Sequence, residues 1–175
     1  MVTESPEAIA ARAGKRFLAM AAKLRSDIDL LATRSKARTL PEFRHLRDDY
    51  RDIRDLMTVM ESHMAQAGDR LPASSSQWLV RQKLRGLSIF TDISYAFIMQ
   101  RPIALTTSYV ARDVLTTERA RFEDALTYFD DMLMEAGIDD KTSALLDATH
   151  TRIEEIMAVI GELLEKSPKP LEEFE

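Results

Sequence analysis

Phe43, Leu46, Tyr50, Ile53, Met57, Met60 and Met64 follow one another at spacings of three or four residues without a break. Such an alternation puts all seven side chains on one stripe of an α-helix, a rod of about 28 residues and about 40 Å. A single long rod cannot bury its own stripe, so the chain must supply further helices to cover it.

The turn-forming residues agree with that requirement. Only 5 Gly and 6 Pro occur in 175 residues, and most sit where a helix would begin or end. Ser5, Pro6 and Glu7 read as an N-cap, a first-turn proline and an acid favoured by the helix dipole. From there Phe17, Met20, Leu24, Ile28 and Leu31 carry a first helix from about Pro6 to Arg34. Thr39 and Glu42 form a capping box for the second helix, and Gly68 stops it. "GDRLPASSS", residues 68–76, is the clearest loop, and Ser74 with Gln77 offers another capping box. A third helix is expected from about Ser75 to Gln100, ahead of Pro102.

Within that third helix, "GLSIFTDISYAFIM" at 86–99 has Asp92 as its sole charge. A helix apolar on nearly every face is enclosed by its own domain or by a partner. The fourth helix is expected from Ile103 to Ala136, bent or broken near Thr106 to Ser108 or at Thr116. It carries Phe122, Leu126, Phe129 and Leu133, and Gly137 ends it. Asp139 or Asp140 caps a fifth, whose seam is Leu146, Thr149, Ile153, Ile156, Ile160 and Leu163. The fold class that follows is all-α, an antiparallel bundle of about five helices with a largely apolar third. One domain over 1–166 and a flexible acidic tail at 167–175 are expected.

The formal net charge of -5 argues against general nucleic-acid binding, and the charge is uneven along the chain. Residues 1–38 carry +4 and 73–102 carry +3, whereas 39–72 carry -2, 103–138 carry -4 and 139–175 carry -6. The absence of Cys excludes disulfides and thiolate chemistry. No run approaches the roughly 20 apolar residues of a membrane span, and the N-terminus has no signal-peptide core, so a cytoplasmic location is expected.

Several residues offer sharper chemistry. His45, among the alternating acids and bases of "FRHLRDDYRDIRDLM", could be a phosphotransfer histidine, but Leu46, Arg47 and Asp48 do not follow the acid, apolar, base order that such helices carry. Glu42 with His45 and Asp147 with His150 approach the spacing of di-iron ligands, yet the seams point elsewhere, and neither metal nor cofactor is expected. Arg44 with Asp48 and Arg51 with Asp55 instead make an ordinary charged outer face.

Trp78, Arg81, Lys83 and Arg85 form the most credible partner or anion-binding group, with internal pairing to acidic helices as the plainer alternative. Ile89, Phe90, Ala96, Phe97 and Met99 are candidates for an oligomer contact, in competition with simple core packing. Asp92 and Tyr95 are candidates for a ligand pocket. The expectation is a non-enzymatic protein acting through protein contacts, a regulator, adaptor or structural subunit, and a homo-oligomer. A small-molecule sensor or carrier built on Asp92 and Tyr95 is the alternative, and a phosphotransfer module using His45 the third.

Overall fold

The computed structural model describes residues 5–34, 36–107, 109–134 and 139–168. Among them are six helices: α1 (Pro6–Thr33), α2 (Leu40–Ala67), α3 (Ser74–Ile98), α4 (Ala104–Thr107), α5 (Tyr109–Met134) and α6 (Asp140–Lys166), with a single 3-10 turn at Gly68–Arg70. No strand occurs among the described residues. The protein is an all-α helical bundle.

The helix starts are set by the residues that the sequence singles out. The Ser5 side chain accepts from the Ala8 N–H at 3.3 Å, with Pro6 opening the helix. At α2 the box is reciprocal. The Glu42 carboxylate accepts from the Arg38 and Thr39 N–H groups at 2.8 and 3.2 Å, and the Glu42 N–H donates to Thr39 Oγ1 at 3.4 Å. Asp139 caps α6 by accepting from the Thr142 N–H at 2.8 Å.

Three boundaries differ from the sequence reading. α3 begins at Ser74, so Ser74 lies inside the helix, and the Ser75 N–H goes to the Pro72 carbonyl at 2.9 Å. The same helix stops at Ile98 rather than Gln100, because the chain then turns through Arg101 at φ 45°, a left-handed conformation unusual for a side-chain-bearing residue. The expected fourth helix is described as α4 and α5, with Ser108 between them outside the described residues. Ala136, Gly137 and the side chain of Leu133 also lie outside the described residues. Ser167, which the sequence places at the start of the tail, is buried, its one hydroxyl proton shared between the Leu163 carbonyl at 2.7 Å and the Leu105 carbonyl at 3.2 Å. The remainder of the expected tail, from residue 169, lies outside the described residues.

The chain groups into two compact units, one of Met1–Ser35 with Arg44–Phe90, the other of Lys36–Phe43 with Thr91–Glu175. In the first unit, Gly14 of α1 faces Ala67 of α2, and Arg34 at the other end pairs with Asp49 at 3.2 Å. The residue numbers rise on one helix as they fall on the other, so α1 and α2 are antiparallel. Lys83 with Glu61, Gly86 beside Met57, and Phe90 on Tyr50 make α3 antiparallel to α2 in the same way. α1 and α3 then run in parallel, with Trp78 against Phe17 and Arg25, and Arg85 on Asp29 at 2.6 Å.

In the second unit α5 and α6 are antiparallel. The Arg112 guanidinium donates to the Leu164 carbonyl at 2.8 Å near one end, and Phe129 meets His150 at 5.8 Å between ring centroids near the other. Along α6, Arg152 binds Asp92 and Glu162 binds Arg101 at 2.9 Å. These numbers rise together, so the last turns of α3 run parallel to α6. Phe43 stacks on Phe97 with centroids 4.6 Å apart and 11° between the planes.

Candidate functional site

The first unit presents a mixed aromatic, apolar and basic face on α1 and α3. The core stripe of α1 is Ala13, Phe17, Leu24, Ile28 and Leu31. A second stripe, Lys15, Leu18, Ala22, Arg25 and Asp29, repeats at spacings of three and four on another side, and all five residues are exposed. Leu18 leaves 59% of itself in water. Beside this stripe stands Trp78, half-buried, its ring edge against Phe17 at 6.2 Å and 73°. The Arg25 guanidinium lies over the indole at 5.2 Å from its centroid, a cation–π contact worth about 0.5 to 1 kcal/mol at an exposed site.

The proposed anion-binding group is therefore divided. Trp78, Arg81 and Arg85 lie on one side of α3, with Arg81 and Arg85 exposed. Lys83, five residues beyond Trp78 and about 140° around the helix, turns to α2, where it binds Glu61. Arg25 is the member that the sequence reading missed. Its signal was the stripe spacing from Lys15 to Asp29, overshadowed by the stronger core stripe on the same helix.

The oligomer candidates separate in a similar way. Phe90 is fully buried on Tyr50, and Phe97 is buried on Phe43, so both rings are occupied within the chain. Ala96 is exposed, while Ile89 and Met99 are half-buried. Of the expected contact, these three are the residues that remain reachable.

Asp92 and Tyr95 both face α6. Asp92 accepts from Arg152, and the Tyr95 hydroxyl bonds Glu155. That bond, followed by the negative charge of Glu155, holds the Tyr95 phenol above its ordinary pKa of 10.0. Two surface cavities in the first unit are lined by described residues. One of about 430 Å³ is lined by Met64, Gly68, Leu71, Pro72 and Ser75 among others. The other, about 180 Å³, lies between α1 and α2, with Leu30, Leu31 and Ile53 as its apolar lining and Asp27, Asp49 and Asp52 among its polar groups.

His45 is exposed on α2, His63 is half-buried, and His150 stands 3.7 Å from Glu154. Among the described residues no three His, Asp or Glu side chains are grouped to hold a metal ion. Nor, among them, is any helix long and apolar enough to cross a membrane.

One further group was not foreseen. Glu118 of α5 is 0% exposed and accepts from the Arg121 guanidinium at 3.0 Å, itself only 15% exposed. Its position was legible, because Ala111, Leu115, Glu118, Phe122, Ala125 and Phe129 form one buried stripe at spacings of three and four. No family model, curated protein or solved structure matches the chain.

Proposed function

We propose that this chain is a non-enzymatic helical-bundle protein that acts through protein–protein contacts in the cytoplasm, as a regulator, adaptor or structural subunit, and that it self-associates. One observation carries the reading: the two compact units are oppositely charged. The first unit holds 14 Lys and Arg against 10 Asp and Glu, a formal +4. The second holds 10 against 19, a formal -9. Segregated charge of this size steers encounters between complementary surfaces and suppresses wrong ones. The exposed Leu18 and half-buried Trp78 on the basic unit add apolar surface of the kind that anchors protein interfaces.

The test is affinity capture of the tagged full chain from a lysate of the source cell, without crosslinking. The expected result is a stoichiometric protein partner, the chain itself included, held at low ionic strength and released at high salt. Recovery of the chain alone, with a retained small molecule in native mass spectrometry, would overturn the reading in favour of a carrier.

A further inference from the structure

We propose that the face formed by α1 and α3 around Trp78 docks the outer, acidic face of α6 from a second copy of the chain. This rests on the reading of the protein as self-associating and names both surfaces of the contact.

The receiving face has a defined order. Leu18 and Arg25, seven residues apart, lie within about 20° of each other around α1, with Ala22 between them and Lys15 one turn before. Trp78 stands beside them, under the Arg25 guanidinium. Arg81 lies one turn beyond Trp78 on α3 and is exposed. Lys15, Arg25 and Arg81 thus frame an apolar centre of Leu18 and the indole.

The occupant has the complementary order on α6. Asp140, Asp147 and Glu154 recur every seven residues, and Ala144, Thr151 and Ala158 lie between and beyond them along the same exposed stripe. Alternation of acids with small side chains lets another helix approach closely while keeping anions along its length. Asp147 and Glu154 are about 10 Å apart along the axis and Lys15 and Arg25 about 15 Å, a difference of about 5 Å that the long Lys and Arg side chains span, so that each cation meets an acid. Leu18 and Trp78 would lose water against Ala144, Thr151 and Ala158, supplying the apolar part of the contact. Charge supplies the register and the choice of partner.

The experiment uses the full chain in sedimentation velocity, with emission from Trp78, the single tryptophan, as a second readout. Wild-type protein is expected to associate at low salt, with Trp78 emission moving to shorter wavelength as concentration rises, and to dissociate as salt rises. Lys15→Glu with Arg25→Glu, and separately Asp147→Lys with Glu154→Lys, should each weaken self-association by roughly tenfold or more. Mixing the two variants should restore association, because each reversed face then meets a complementary one.

All four side chains are exposed, and helical circular dichroism checks that the fold is retained. Leu18→Gln, a single exposed change, provides the same test should a double variant unfold, with roughly tenfold weaker association expected. A monomeric wild type, association indifferent to both reversals, or a mixture that stays dissociated overturns the proposal. If a different protein is still captured from the cell after such a result, the docking proposal alone has failed and the interaction reading stands.

Discussion

The Tyr50 ring lies on the Phe90 ring with centroids 4.4 Å apart and 5° between their planes. Gly86, one turn earlier on α3, faces the same helix, α2. A Cβ there would already stand 3.5 Å from the Met57 methyl and 3.7 Å from the Tyr50 ring. Phe90→Ala removes a fully buried ring and its stacking on Tyr50. We expect a loss of about 3 to 5 kcal/mol in urea unfolding, read as a lower midpoint with an unchanged slope.

The buried Glu118–Arg121 pair makes a different prediction. Removing Glu118 takes the carboxylate from beside the largely buried Arg121 guanidinium, whereas removing both takes both charges out of the interior. Glu118→Leu should therefore cost about 3 kcal/mol or more, and Glu118→Leu combined with Arg121→Leu less than the single change. Equilibrium denaturation of the three proteins checks the order.

Thr91 is fully buried, and its hydroxyl has no hydrogen-bond partner among the described residues. Thr91→Val keeps the shape and removes the buried oxygen. Stability should rise, by about 1 kcal/mol, the scale of the penalty for an unsatisfied buried hydroxyl. A higher thermal midpoint is the expected reading.

Glu42 gives the bundle a pH dependence of known sign. The Arg38 N–H, and then the Thr39 N–H, hold its carboxyl below the ordinary value of 4.5. A carboxyl whose pKa is lowered by folding contributes stability above its unfolded value, and that contribution is lost as pH falls through the folded value. Thermal midpoints followed from about pH 6 to about pH 3 should fall less steeply for Glu42→Ala than for wild type. Both should converge at the acid end.

Local order was written plainly in the sequence. The Ser5, Thr39 and Asp139 caps need only their own helix ends, so short-range hydrogen-bond chemistry determined them. The seams of α2 and α6 were legible for the same reason, since a spacing of three and four on a helix defines one face regardless of what covers it. Gly68, at φ 51°, marks the end of α2 as the sequence expected.

Only the tertiary structure decided which polar residues enter those seams and which apolar ones leave them. Glu118 has the spacing of a core residue and the chemistry of a surface one; its pairing with Arg121 is local to α5, whereas its complete burial comes from the packing around that helix. Lys83 looked like a neighbour of Arg81 and Arg85 along the chain, but the angle around α3 delivers it to Glu61 on another helix. Phe90 and Phe97 read equally well as core or as an interface, because periodicity identifies an apolar face without identifying its cover. Tyr50 and Phe43, distant in sequence and brought alongside by chain reversal, supply that cover. Helix periodicity is a local property of the backbone, whereas the choice of partner for each face depends on packing between segments far apart in the chain.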